Sequence, residues 1–395
     1  MVSRRSRALV LENSTVRLDG HRARPAPAQG DVLVRVLRAG ICATDLQLIR
    51  GYKDFSGVLG HEFVGIAESG TFEGQRVVGE INCSCWSCDT CLAGRPGHCP
   101  QRTVIGILDR DGAFADYIAV PERNLHLVPD AIDADAAVFT EPVAAAFQIP
   151  AQIDIPREAS VIVLGDGRLG NLCAQVLASL SDHVLVLGRH ASKLALLEAL
   201  GIEARPLADA PPRGSADIVV DCTGSASGFS TAVELVRPRG TIVLKTTIAG
   251  TQTLSLAPVV VDEIAVVGSR CGPFDRSLDA LKQARVLTYR PFKQEYHVWQ
   301  GSDFDLIPDT ACAGCQPGTG IYEIGIHKAL RVNPKFGTAF QFSQNHIKNF
   351  LIPNLKEIRD IYLQNSPYHT SHHAVGSDEF GSPNDSLIVQ APIIN

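Results

Sequence analysis

Cys85, Cys88, Cys91 and Cys99 follow the spacing C-x2-C-x2-C-x7-C in the stretch INCSCWSCDTCLAGRPGHCP. Four soft thiolates on one irregular loop suit closed, tetrahedral zinc coordination with no position left for a substrate. Cys83, the fifth thiol of the stretch, is the spare and reads as buried or half-buried. Disulfides are the competing use of clustered cysteines, and the compartment decides between the two. The N-terminal residues MVSRRSRALVLENSTVRL lack the apolar core and cleavage site of a secretory leader. No apolar run reaches the length of about eighteen residues that a membrane span needs. A cytoplasmic chain with reduced, metal-binding thiols is therefore expected.

A second set of residues could hold a metal with an open position. AGICATDLQLIRGY brings Cys42, Thr44 and Asp45 together, and GVLGHEFVG carries His61 and Glu62. A catalytic zinc takes about three protein ligands and leaves a fourth place for water or substrate. Cys42, His61 and an acidic residue would supply that set.

The third set is a dinucleotide fingerprint. In ASVIVLGDGRLGNLCAQVLASL an apolar strand ends at Leu164 and runs into Gly165, Asp166, Gly167, Arg168, Leu169 and Gly170. A helix with apolar positions at Leu169, Leu172, Cys173, Val176 and Leu177 follows. Between a strand and a helix, such glycines let backbone N–H groups approach a pyrophosphate. The second strand, HVLVLGRH, ends at Gly188, where an acidic residue would normally hold the adenosine 2′-hydroxyl of NAD. Arg189 and His190 come next. Without the carboxylate there is no repulsion of a 2′-phosphate, and the guanidinium can bind one through two hydrogen bonds, so NADP(H) is favoured over NAD(H).

These residues need elements to position them. After the fingerprint come DIVVDCTG, a third strand and turn that brings Thr223 to the cofactor side, then GFSTAVELV as a helix and GTIVLKTT and IAVVGSRCG as strands. Strands alternating with helices at this spacing form a parallel, doubly wound sheet, making this an α/β chain. The net charge is −6 and charged residues make up 20%. No basic face invites nucleic acid or an anionic membrane, and neither partner is expected.

The order Cys42-x-x-Asp45, Gly60-His61-Glu62, the four-cysteine loop, Glu141-Pro142 and the Gly165-to-Gly170 fingerprint resembles the zinc-dependent medium-chain alcohol dehydrogenase family, in its polyol, threonine and sugar dehydrogenase-like branches. The motifs span about residues 8–285. The resemblance implies a GroES-like, β-rich catalytic domain over residues 1–150, with the zinc lobe at 81–100, and a Rossmann domain over 151–285. It implies catalytic zinc ligands at Cys42 and His61, with Glu62 or Glu141 as acidic ligand or close partner. It further implies a proton-relaying hydroxyl at Thr44, an Asp45 that orients His61, and Arg270 near nicotinamide and substrate. A structural zinc at Cys85, Cys88, Cys91 and Cys99, an alcohol, polyol or sugar substrate, and a homodimer or homotetramer belong to the same pattern.

Residues 286–395 depart from it. Residues 1–285 contain 24 Arg and 4 Lys, and the remainder 3 Arg and 5 Lys; aromatics run 11 and then 13. The shift marks an atypical C-terminal segment, part of it expected to be disordered. A short amphipathic helix is expected around Phe350, Leu351, Leu355, Ile358, Ile361 and Tyr362. Cys312 and Cys315 read as ordinary thiols, and His372 and His373 sit in a polar, turn-rich stretch. The rival to an active enzyme is a non-catalytic, nucleotide-binding or structural member of the family whose tail leaves the substrate cleft incomplete.

Overall fold

The computed structural model describes residues 5–248, 254–288, 298–300, 340–343 and 386–389. The helix expected over 350–362, Cys312, Cys315, His372, His373 and nearly all of the atypical segment lie outside them. The chain divides into two units, Met1–Ile307 and Pro308–Asn395.

Short, β-branched segments broken by glycines build the first part of the larger unit. β1 (Arg5–Glu12), β2 (Thr15–Ala23), β3 (Asp31–Gly40), β4 (Gly57–Val58), β5 (Glu62–Ala67), β6 (Arg76–Gly79), β7 (Asn82–Cys83), β8 (Thr103–Val104), β9 (Tyr117–Pro121) and β10 (Leu125–Leu127) follow in order. β2, β1 and β4 make one antiparallel sheet. A second runs β10-β6-β5-β3, with β9 also on β3. Alternation of apolar and polar residues along β3 buries Val32, Val34 and Val36 against Phe63, Ala67, Ile118 and Val120. β17 (Val298–Gln300) pairs antiparallel with Arg38–Gly40 of β3, just before Cys42. α1 (Ala43–Ile49), the short α2 (Asp89–Leu92) and α3 (Ala134–Ala137) punctuate these strands.

Then the periodicity changes. α4 (Thr140–Gln152) leads into β11 (Ser160–Leu164), α5 (Arg168–Ala178), β12 (His183–Gly188), α6 (Ala191–Glu198), β13 (Glu203–Pro206), β14 (Ala216–Asp221), α7 (Gly228–Leu235), β15 (Val236–Leu244), α8 (Ala257–Val261), β16 (Ala265–Gly268) and α9 (Phe274–Lys282). The sheet is wholly parallel in the order β13-β12-β11-β14-β15-β16, so the order in which strands are added reverses between β11 and β14. Ligands of open α/β sheets sit outside the strand C-termini at such a reversal. Covering by helices on both faces explains why β11 and β14 read as nearly continuous apolar runs. On α5, Leu172, Cys173, Val176 and Leu177 are fully buried, as their helical spacing predicts, while Leu169 is partly buried. Val64 and Val78 of the antiparallel sheet join the same apolar cluster, which ties the two sheets together.

In the second unit, β18 (Phe340–Ser343) pairs antiparallel with β19 (Ser386–Val389). Among the described residues no helix is long and apolar enough to cross a membrane.

Candidate active site and zinc lobe

The four lobe cysteines converge from the turn after β7 (Cys85), the N-cap and body of α2 (Cys88, Cys91) and the turn that follows (Cys99). Cys85 and Cys91 sulfurs lie 3.9 Å apart, Cys88 and Cys99 3.8 Å, and Cys99 and Cys85 3.5 Å. All four sulfurs fall within 4.8 Å of one another. A tetrahedron of Zn–S bonds near 2.3 Å has an edge of about 3.8 Å, so the sulfurs already stand at zinc-binding separations. The backbone N–H of Ser87, its hydroxyl and the N–H of Cys88 pull the Cys85 thiol down to about 6, toward the thiolate that a metal requires. Cys83 stands apart from this group, buried, and burial pushes its thiol up to about 11.

The second cluster is assembled from three separate pieces of chain. Cys42 is the N-cap of α1, and Asp45 one turn on completes a capping box: its Oδ2 accepts the Cys42 N–H at 2.8 Å. The other oxygen, Oδ1, faces Nδ1 of His61 at 3.2 Å, an ion-pair separation, and both atoms are buried without a partner in hydrogen-bonding geometry. Glu62 opens β5 opposite Gly40 of β3, where a Cβ would collide with the Glu62 carboxylate, so only glycine leaves room for it. Cys42, His61 and Glu62 present ligand atoms within 4.8 Å of one another. Thr44 Oγ1 lies 3.7 Å from Cys42 Sγ.

Glu141, at the start of α4, is not in that group but is close enough to act on it electrostatically. Burial and the Glu62 charge raise the Cys42 thiol. Burial, opposed by His61 and supported by Glu141, pushes Glu62 up to about 7. Burial likewise raises Glu141, against His61 and Lys245. His61 loses charge stability to burial, but Asp45 and Cys42 outweigh that and hold it well above its ordinary value. Burial disfavours the ionised forms of Cys42 and Glu62 despite His61 and the Arg168 charge, and a divalent cation at their meeting point would favour thiolate and carboxylate. Soft thiolate, imidazole and carboxylate together suit zinc.

The dinucleotide residues gather at the strand C-termini. A Cβ at Gly170 would collide with the Gly165 carbonyl, so glycine permits the close approach of α5 to β11. Arg168 donates to the Ile41 carbonyl, next in sequence to Cys42. Its charge reaches Glu62. Thr223, just past β14, donates its N–H and hydroxyl to Asp221 Oδ1 at 2.9 and 2.8 Å. Arg189 and His190 are exposed at the end of β12, and the Asp166 carboxylate lies under them. Arg270 is exposed, with its guanidinium on the Gly97 carbonyl and the Asn82 amide oxygen of the zinc lobe.

Lys245 was not foreseen. It ends the apolar stretch TIVLK, is buried, and donates to the carbonyls of Ala145 at 2.6 Å and Arg270 at 3.1 Å and to the Ser269 hydroxyl at 3.3 Å. The signal was present as a lone lysine closing a run of strand residues. A charge there must be buried among acceptors, and these come from the middle of α4 and the residues just past β16.

An antiparallel β-domain carrying two zinc-competent clusters, joined to a parallel nucleotide-binding sheet, defines a zinc-dependent dehydrogenase. Residues 28–130 match the family described as alcohol dehydrogenase GroES-like domain, and residues 169–284 match zinc-binding dehydrogenase. The chain belongs to the zinc-dependent medium-chain alcohol dehydrogenase family, in its polyol and threonine dehydrogenase branch, and is an oxidoreductase of the alcohol/polyol dehydrogenase class. A sorbitol dehydrogenase of Halalkalibacterium halodurans is 28% identical over 299 residues, covering 69% of this chain and 87% of the relative. A zinc-binding dehydrogenase structure from Sinorhizobium meliloti 1021, solved with NADP, superposes with a TM-score of 0.63 at 28% identity, over 71% of this chain and 90% of the other. The rspB alcohol dehydrogenase of Escherichia coli CFT073, solved with NADH, superposes with a TM-score of 0.65 at 25% identity, over 72% and 89%.

Proposed function

We propose that this chain oxidises a primary or secondary alcohol, or a polyol, with NADP as the favoured acceptor, and catalyses the reverse reduction. The observation that carries the reading is the convergence of half-buried Cys42 with buried His61 and Glu62 beside the Arg168 end of the fingerprint helix. Cys42, His61 and Glu62 would hold the catalytic zinc, with Glu141 as the nearby acidic partner. Cys85, Cys88, Cys91 and Cys99 would hold the structural one. When bound, zinc would supply the Lewis acidity that lowers the pKa of an alcohol, and the nicotinamide would take the hydride.

The chain's own residues do the rest. Asp45 keeps the proton of His61 on Nδ1 and so leaves Nε2 for the metal. Thr44 stands beside Cys42 and relays the proton of the substrate hydroxyl outward. Gly165, Asp166, Gly167, Arg168, Leu169 and Gly170 form the pyrophosphate turn, Thr223 borders it, and Arg189 with His190 meets the adenosine 2′-phosphate. Arg270, whose carbonyl is held by Lys245, acts toward the nicotinamide through the loop it anchors.

In this reading the catalytic domain runs to about residue 150, the cofactor domain to about 285, and 286–395 is an appended segment. The chain works in the cytoplasm as a homodimer or homotetramer. An apolar sheet edge supports the oligomer: Val266 on β16 is 41% exposed, and Val260 and Val261 on α8 are 75% and 78% exposed.

The test is oxidation of a panel of polyols and secondary alcohols by the zinc-loaded full chain with NADP. Turnover of at least one substrate, abolished in His61→Ala, is expected. Tight cofactor binding with no turnover of any substrate would instead favour the non-catalytic reading.

A further inference from the structure

The usual acidic residue at the end of the second Rossmann strand is replaced by Gly188, yet a carboxylate still occupies that spot. It comes from Asp166, between the first two fingerprint glycines. A Cβ at Gly188 would lie 2.5 Å from both Cβ and Oδ2 of Asp166, so the absence of a side chain at 188 is what admits this one. The Asp166 side chain is 8% exposed. Its Oδ2 accepts the N–H groups of Arg189 and His190, each at 2.6 Å, and the His190 imidazole Nδ1 stands 3.0 Å from Oδ1 and 3.1 Å from Oδ2. Burial raises the carboxyl, but the His190 and Arg189 contacts prevail and hold it below its ordinary value.

Two roles are open to a carboxylate at this place. It could accept the 2′-hydroxyl of an NAD ribose, as the usual strand-end acid does. That needs free acceptor capacity aimed outward, whereas Oδ2 already takes two short backbone bonds and both oxygens face one imidazole. The carboxylate is turned into the protein, toward the turn that carries Arg189 and His190. The Arg189 guanidinium makes no hydrogen bond or ion pair among the described residues and projects into solvent.

We propose that Asp166 is a positioning residue for discrimination between NADP(H) and NAD(H): it clamps the Arg189–His190 backbone and the His190 ring so that the guanidinium is preset for a 2′-phosphate. The two N–H groups and the imidazole disperse the carboxylate charge that would otherwise repel that phosphate. A preset guanidinium loses less conformational freedom on binding, and only a cofactor bearing the phosphate benefits. This inference rests on the NADP reading above.

The experiment measures dissociation constants of NADPH and NADH, by cofactor fluorescence, for the zinc-loaded full chain and for Asp166→Asn, Gly188→Ala, Arg189→Ala and Asp166→Asn/Arg189→Ala. Asp166→Asn is isosteric, and Gly188→Ala disturbs the same contact from the opposite side. The expected result is a loss of NADPH affinity of about tenfold or more in Asp166→Asn, with NADH altered less than about threefold. Gly188→Ala should shift the ratio the same way, and the double variant should discriminate no worse than Arg189→Ala alone. Equal losses for both cofactors would make Asp166 a builder of the pyrophosphate turn and overturn the proposal. A larger loss for NADH would make it a direct reader of the ribose and overturn it as well. The underlying reading fails separately: it falls if the unaltered chain does not prefer NADPH or if Arg189→Ala weakens both cofactors alike.

Discussion

The two metal-competent clusters are built in opposite ways. The lobe draws all four thiols from residues 85 to 99, and its sulfurs rest at 3.5 to 3.9 Å, near the edge length of a zinc tetrahedron. The other cluster draws Cys42 from a helix cap, His61 from a turn and Glu62 from a strand, and its orientation depends on the buried Asp45. Like thiolates on one loop suit a closed metal site, whereas the three mixed ligands on separate elements would leave a fourth coordination position, with Thr44 and Glu141 nearby. Local construction suits a staple, and distributed construction suits a site that must face a substrate.

Substitutions should separate the two. The largest effect is expected from His61→Ala, which should lower turnover by on the order of 10³-fold or more while the fold and the lobe metal persist; initial rates and thermal melting check it together. Cys88→Ser should do the reverse, destabilising the chain by about 3–5 kcal/mol through loss of the lobe metal, as read by denaturant unfolding. Should His61→Ala melt as early as Cys88→Ser, the division into staple and active centre would be wrong. Thr44→Val should cost about 10²-fold in turnover, and Thr44→Ser only a few-fold, because the hydroxyl and not the methyl carries the proton. Asp45→Asn should weaken zinc at the open site by about 10- to 100-fold without touching the lobe, measured by competition with a chelator.

The smallest effect concerns a contact outside both clusters. His126 on β10 bridges Glu80 at 3.0 Å and Asp275 of α9 at 3.1 Å. Burial pulls the imidazole down, but the two carboxylates outweigh it and raise it. A raised histidine contributes its stability fully below the unfolded value of about 6.5 and loses it as pH climbs through the folded value. His126→Gln should therefore lower stability by about 0.5 kcal/mol near pH 5.5, after allowance for solvent screening, and by nothing measurable at pH 8.5. Equal melting differences at the two pH values would show that the ring acts by packing on Phe274 alone.

Features carried by short spacing were legible in the sequence. The C-x2-C-x2-C-x7-C run and the strand–glycine–helix fingerprint are local patterns, and the buried face of α5 follows from its apolar period. Features that depend on distant pieces meeting were not. Whether Glu62 or Glu141 stands with Cys42 and His61 depends on the register of β3 with β5, which leaves Gly40 opposite Glu62. Gly188 reads alone as a missing acid, and only the packing of β11 against β12 brings Asp166 into its place. Lys245 is buried only because distant α4 supplies the Ala145 carbonyl to hold it. Arg270, expected near the nicotinamide, has its guanidinium on the zinc lobe, a contact across 173 residues that no local pattern encodes.

The central claim, that one chain carries two independent zinc sites of different construction, is tested most directly by the zinc content of the full-length protein and of its Cys42→Ser and Cys88→Ser variants. Two zinc ions per chain, falling to one in each variant, is the predicted result. A single zinc in the unaltered chain, unchanged by Cys42→Ser and lost in Cys88→Ser, would contradict it and leave the open cluster without a metal.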